Sequence, residues 1–368
     1  MLTERLYYRD SHIFEFDAEA ENAYGNALIL DKTAFFPGGG GQNCDLGYIN
    51  NIRVVKVFEK DGIIYHELER FCPAGTVHCT VDKETRFRRM QNHSGEHIVS
   101  GLVNAQYGLD NVGFHMSDVI TIDFNGELSL KELLEIEKTA NEAVRANLNV
   151  TASFPENFWE LEYRSKLELT ENVRIVEIDG IDRCACCAPH VSRTGEIGII
   201  KILSCERHRG GTRLTMLCGL DALDYINKLQ ENITEISSSL SVPREKTAEA
   251  VERLKEERDG LKYSLTGMEK RLVFGLADRG NCVFENLSEA AQRELCNILM
   301  EKHGIAGVFS GGKYIIGSKT ADLRLMAKEI NQALKGRGGG KPGMIQGSYS
   351  ATEEEIKEYF AHVSVNKV

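Results

Sequence analysis

Two pairs of metal-affine side chains, far apart in the chain, limit what it can fold into. His93 and His97 stand in Asn92-His93-Ser94-Gly95-Glu96-His97, and Cys186 and His190 stand in Cys184-Ala185-Cys186-Cys187-Ala188-Pro189-His190. On a helix the two histidines share a face, and imidazoles with a thiolate are a ligand set that zinc prefers. Using both pairs for one ion would require the cysteine loop to return onto the histidine helix. Each motif alone is a weak signal, because paired histidines on helices are more often surface or hydrogen-bonded core residues. Apolar Ile98, Val99 and Leu102 continue the first helix, and both motifs fall within one stretch of domain size, which favours a divided zinc site. Cys184 and Cys187 compete with Cys186 for the thiolate position, or are small buried hydrophobes.

At 368 residues the chain has length for two or three domains, each with its own core. The ten cysteines are mostly scattered singly. The N-terminus shows no basic start followed by an apolar run, and no run of eighteen apolar residues is present to span a membrane. A cytoplasmic protein without a membrane partner is expected. The net charge of -11 argues against an indiscriminate nucleic-acid binder, which needs a basic excess to neutralise phosphates. The charge is uneven, however. Residues 301–347 carry Lys302, Lys313, Lys319, Arg324, Lys328, Lys335, Arg337 and Lys341 against Glu301, Asp322 and Glu329. Two further basic clusters are Lys83, Arg86, Arg88, Arg89 and Arg207, His208, Arg209, Arg213. Each alone reads equally well as a solvated face. Together they suggest an extended polyanion as partner.

The patterning predicts an α+β, multidomain chain. Residues 1–85 alternate short apolar runs with turns and read as an N-terminal small β-barrel or sandwich. Inside them lies Phe35-Phe36-Pro37 followed by Gly38–Gly41 and Gln42, where backbone can approach another surface closely or simply form a flexible loop. Residues 86–220 read as a central α+β domain, with helices near His93–Asn104 and Leu130–Asn147 and strands at Val119–Phe124, Val173–Ile178 and Ile197–Leu203. Residues 221–272 carry a heptad-like series, from Ala222 to Leu240 and from Val251 to Leu272, broken at Ser241-Val242-Pro243. A helical hairpin and a dimerising coiled coil fit it equally. Residues 273–368 read as a C-terminal α/β glycine-rich domain. Its segment Lys335–Gly347 interleaves glycine with cations, either as a phosphate cradle or as a basic flexible loop. No Gly-Lys-Ser/Thr follows, so ATP binding is not expected.

Phe35-Phe36-Pro37 with Gly39–Gln42, His93-x-x-x-His97, Cys186-x-x-x-His190-Val191 and Thr194-Gly195-Glu196-Ile197-Gly198, in that order, resemble the editing region of alanyl-tRNA synthetase and the free-standing alanyl-tRNA editing proteins. The heptads and Gly338-Gly339-Gly340-Lys341-Pro342 resemble the synthetase's coiled coil and C-terminal domain. Nothing corresponds to an aminoacylation domain, so the resemblance implies a long-form trans-acting editor.

That resemblance implies a hydrolase that deacylates tRNA(Ala) mischarged with serine or glycine. An alanine pocket rejects such small differences by only about ten- to two-hundredfold, so a second site is useful. The family's zinc ligands fall on His93, His97, Cys186 and His190. A full tetrahedron is a closed arrangement, which favours zinc ordering the pocket over zinc activating water, though both stay open. Glu96 is a candidate base whose helical offset suggests that it faces elsewhere, and His115, in Gly113-Phe114-His115-Met116-Ser117, is the second catalytic candidate. Gly40, Gly41, Gln42 and Ser94 are expected at the substrate pocket. Arg86, Arg88 and Arg89 are expected on the acceptor stem, and Arg337 and Lys341 on phosphates elsewhere. Cys187, Ala188 and Pro189 replace the family's usual Gly-Gly-Thr, which is expected to reshape that loop. A non-catalytic tRNA-binding protein with a structural zinc is the rival reading, and a homodimer through the coiled coil or C-terminal domain stays open.

Overall fold

The computed structural model describes residues 3–165 and 170–365. The chain divides into two units, Met1–Asn232 and Ile233–Val368, a coarser division than the four domains expected from the sequence. The boundary falls inside the helix Gly219–Leu240.

In the first unit, strands Glu15–Asn22, Ala27–Leu30, Ile63–Leu68, Ile52–Lys60, Gly47–Ile49 and Gly75–Val81 pair antiparallel in that order, and the last returns to the first. Closure removes the sheet edges that a small antiparallel sandwich would leave open. Alternation puts Ala18, Ala20, Val54, Ile64, Val77 and Cys79 inside, where Phe35 and Phe36 from the glycine-loop segment complete the packing. His66 is fully buried among them, with Nε2 2.8 Å from Thr33 Oγ1.

The histidine helix, Lys83–Tyr107, begins earlier than the apolar pattern suggests. Asp82 caps it by accepting from Thr85 N, and Gly108, with φ 66°, ends it. Its neighbour Leu130–Ala146 opens with a Ser129/Glu132 capping box and ends at Asn147 in the left-handed region. Both helices share a core with a four-stranded antiparallel sheet ordered Ile200–His208, Gly211–Cys218, Ile120–Phe124, Asn111–Met116. A three-stranded sheet, Val150–Ser153, Ile175–Ile178, Asp182–Ala185, carries the cysteine loop at its end. Strands Asn111–Met116 and Asp182–Ala185 were not legible in the pattern, because polar and sulfur-bearing residues interrupt their alternation.

Ser241, Val242 and Pro243 do separate two helices, Gly219–Leu240 and Thr247–Leu276. The heptad residues Leu229, Ile233, Leu254, Leu261, Leu265 and Met268 remain exposed, and Arg258 pairs with Asp259. The second unit also holds a five-stranded sheet ordered Cys282–Phe284, Ile305–Ser310, Lys313–Ser318, Met344–Ser348, Arg337–Lys341, with helices Glu289–His303, Leu323–Ala333 and Glu353–Val365. The glycine-rich segment is therefore an edge hairpin rather than a flexible loop. A Cβ at Gly338 would meet the Tyr314 hydroxyl at 2.2 Å, so glycine is what lets the strand lie there. No described helix is long and apolar enough to cross a membrane.

Burial pushes the His66 imidazole down to about 4, partly offset by a hydrogen bond with the Leu28 backbone. An unfolded chain would protonate it near 6.5, so the stability that neutral His66 contributes is complete above about 6.5 and is lost as pH falls toward 4, by roughly 3 kcal/mol. Urea titrations should show the stability of wild type dropping toward that of His66→Leu across this window. A constant difference between the two proteins would contradict the assignment.

Candidate metal centre

His93 and His97 point from one face of a helix whose buried residues include Gln91, Asn92, Ser94, Glu96 and Ser100 as well as Ile98 and Val99. Such a polar buried face costs free energy unless each group is paired. Two glycines let the neighbours come close enough to pair them. A Cβ at Gly95 would lie 2.2 Å from Cys218 Sγ, and one at Gly101 would lie 2.7 Å from Asp182 Cβ.

Donor atoms of His93, His97, Cys186 and His190 lie within 4.8 Å of one another, a group able to hold a metal ion. Cys186 Sγ is 3.6 Å from His93 Nε2 and 3.3 Å from His190 Nε2. A tetrahedral ion with metal–nitrogen bonds of about 2.05 Å and a metal–sulfur bond of about 2.3 Å has sulfur–nitrogen edges of about 3.6 Å. The residues present therefore fit a tetrahedral ion.

Each imidazole is oriented from behind. His93 Nδ1 donates to Gln42 Oε1 at 3.0 Å, and His97 Nδ1 donates to Asp182 Oδ2 at 3.1 Å. Both partners accept, so a ring that carries its only proton on Nδ1 leaves Nε2 bare toward the centre. Ser94 Oγ, 3.0 Å from His190 Nδ1, can accept in the same way. Asp182 is fixed in turn by Arg164, through bonds of 2.7 and 2.8 Å. Although burial would raise it, hydrogen bonds from His97 and Arg164 bring Asp182 down to about 2.

The three cysteines separate by charge. Burial pushes Cys184 and Cys187 each up to about 11, which keeps them as thiols. Burial also opposes ionisation of Cys186, but its interactions with His93 and His190, hydrogen bonds included, hold it well below its ordinary value. Cys186 is thus the thiolate of the set. Burial brings His190 down to about 3, so it is neutral and fit to ligate. Burial would lower His97 as well, but Cys184, Asp182 and Cys186 hold it well above its usual range. An arriving cation must displace that proton.

The loop that departs from the family pattern is ordered by contacts of its own. Arg174 Nη1 donates to the carbonyls of Cys186 and Ala188, both at 2.9 Å. Ala188 is packed in the barrel core, and a Cβ at Gly39 would meet Cys187 Sγ at 3.3 Å. Gly41, with φ 85°, faces the Phe114 ring where a Cβ would lie 2.5 Å away.

A cavity of about 910 Å³ opens beside the donors, lined among others by His93, Glu96, His97, Cys186, Gly40 and Gly41. Glu96 does not face elsewhere. The positions of His93, Glu96 and His97 fall on one helix face, and Glu96 is buried in the cavity wall. Its Oε1 accepts from Ser100 Oγ at 2.5 Å and Asn111 Nδ2 at 2.6 Å, while Oε2 lies 4.0 Å from His97 Nε2.

Other expected residues stand elsewhere. His115 is exposed on the opposite side of its strand from buried Phe114 and is not among the cavity residues, because strand alternation reverses successive side chains. Gln42 and Ser94 orient histidines behind the cavity. Arg86 is fully buried, paired with Asp45 and donating to the Ser11 and Ala34 carbonyls, so it is a structural residue that RNA cannot reach. Arg88 ties Glu84 to Asp221 and Asp224, and Arg89 donates to Cys44 O. Arg337 and Lys341 are exposed on the edge strand. Asp182, Asn111, Ser100 and Arg164 were missed. For Asp182 the available signal was a carboxylate four residues before Cys186, too common to single out.

Comparison with known proteins places this geometry. The family profile of the threonyl and alanyl tRNA synthetase second additional domain matches residues 173–214, which include Cys186 and His190. A profile of class II (A) tRNA synthetases matches residues 7–85, on the barrel. The alanyl-tRNA editing protein AlaX-L of Pyrococcus horikoshii is 28% identical over 96% of this chain and 96% of its own length. This chain is a relative of the alanyl-tRNA editing proteins. It is also similar to alanine–tRNA ligases: 31% identical to that of Methanococcus vannielii over 97% of this chain, and 29% to that of Ignicoccus hospitalis over 98%. It spans 43% of the length of each of these ligases.

Because Asp182 orients His97, Asp182→Asn should lower metal affinity by about ten- to a hundredfold without unfolding the protein. Competition against a chelator, with circular dichroism alongside, measures this. Unchanged affinity would remove Asp182 from the account.

Proposed function

We propose that this chain is a zinc-containing aminoacyl-tRNA deacylase that hydrolyses tRNA(Ala) mischarged with serine or glycine. The observation that carries the reading is the clustering of donor atoms from His93, His97, Cys186 and His190, all within 4.8 Å of one another, beside a cavity of about 910 Å³. Three nitrogens and one sulfur in a tetrahedron suit zinc better than the harder cations. The relationship to the editing proteins supports the substrate class.

In this reading His93, His97, Cys186 and His190 hold zinc, which when bound supplies positive charge to the ester or its amino acid. Glu96, with one oxygen fixed by Ser100 and Asn111, orients a water with the other and takes its proton. The water oxygen bonds to the ester carbon, the bond to the terminal ribose oxygen breaks, and a proton returns to that oxygen. The glycine loop at Gly40 and Gly41 brings backbone, rather than side chains, against the bound ester. Arg337 and Lys341 remain the candidates for phosphate contacts, and the exposed apolar residues of Thr247–Leu276 the candidate surface for a homodimer.

The closed set of four protein ligands favours a second reading, an RNA-binding protein whose zinc only maintains the fold. Deacylation of seryl-tRNA(Ala) against alanyl-tRNA(Ala) by zinc-loaded protein separates the two. The proposal predicts rapid release of serine, spared alanine, and a loss of about a hundredfold or more in Glu96→Gln at unchanged zinc content. No hydrolysis of either ester by folded, zinc-replete protein would leave the binding reading.

A further inference from the structure

At and near the cavity stand exposed aromatic side chains that the chemistry of the centre does not use. Phe154 lines the cavity and is 50% exposed. Trp159, the chain's single tryptophan, is 66% exposed, an unusual position for a side chain that folding normally covers. The chain leaves the cavity lining at Phe154 and rejoins it at Arg164, so Trp159 lies five residues from each of these lining residues. At about 3.5 Å per residue, that is no more than roughly 18 Å of chain from the opening. Tyr8 meets Phe154 edge-on at 5.4 Å, and Arg174, anchored to the cysteine-loop carbonyls, lies 5.0 Å from the Tyr8 ring. Phe158 supports Trp159 edge-on at 5.3 Å.

Two constraints select the occupant. A cavity of about 910 Å³ is far larger than a small amino acid requires and has room for a nucleoside behind the ester. An amino acid esterified to the end of an RNA must also have the rest of its strand emerge across the rim. Bases stack on exposed aromatic rings whatever their sequence. Resting on the deacylase reading, we infer that Phe154 and Trp159 form a stacking surface for the unpaired nucleotides that precede the esterified ribose.

Trp159 reports on its own occupancy, because no other tryptophan contributes emission. The experiment titrates zinc-loaded protein with an uncharged RNA hairpin bearing a short unpaired 3′ tail and with the same hairpin blunt-ended, following tryptophan fluorescence. The tailed RNA should change the emission saturably and the blunt one should not. Phe154→Ala should raise the midpoint about tenfold or more, and Phe154→Tyr, which keeps a ring, should restore it. Tailed RNA that binds without altering the emission, or with the same midpoint in Phe154→Ala, overturns the inference. An emission shift that follows protein concentration alone also overturns it, by making the patch an interface between copies. Hydrolysis of charged RNA, measured in parallel, separates the two claims. Hydrolysis without an emission response removes the stacking surface and leaves the deacylase, whereas a tail-dependent response without hydrolysis supports the surface and removes the deacylase.

Discussion

Three imidazoles present Nε2 to one point because each Nδ1 is held from behind by a different region of the first unit. Gln42 reaches His93 from the glycine loop of the barrel, Asp182 reaches His97 from the three-stranded sheet, and Ser94 meets His190 from the histidine helix itself. The centre is therefore a joint between barrel, helix and sheet. Glycine at position 101 lets Asp182 come close enough for its bond to His97, and glycine at 95 lets Cys218 pack against the same helix. A larger residue at position 101 would push Asp182 away from His97 before it disturbed any ligand.

The same logic governs the rest of the buried polar face. Arg86, without exposure, is matched by Asp45 and two carbonyls, and it fastens the helix to the barrel. Removing one partner of such a pair would leave an uncompensated charge, which is costly in an interior. Glu96 is satisfied on one oxygen by Ser100 and Asn111, while the other lies 4.0 Å from His97 Nε2. Packing and chemistry draw on one set of contacts here. The helix cannot be repacked with apolar residues without dismantling the site.

Much of this was legible in the sequence. Spacing alone brought His93 to His97 and Cys186 to His190, and short apolar runs between turns marked the barrel strands. The break at Ser241 and Pro243 also appears where the chain suggested it. What could not be read were facing directions and partners. Glu96 was expected to face elsewhere, yet positions three and four apart on a helix share a side, so Glu96 and His97 both accompany His93. Basic residues at 86, 88 and 89 resembled an RNA-facing cluster, but acids distant in sequence, Asp45 and Asp221, pair with Arg86 and Arg88. The glycines at 338 to 340 signalled flexibility, whereas they lie in an edge strand, where Gly338 clears the Tyr314 hydroxyl. In each case a contact between remote segments, or a helix's own geometry, overrode the local signal.

The account's central claim is that one sulfur and three imidazole nitrogens converge on a single ion. X-ray absorption at the zinc edge of the purified, zinc-loaded protein tests it most directly. The account predicts one zinc per chain with one sulfur neighbour at about 2.3 Å and three nitrogens at about 2.0 to 2.1 Å. A shell without sulfur, one with two sulfurs, or a folded protein that takes up no zinc would contradict it.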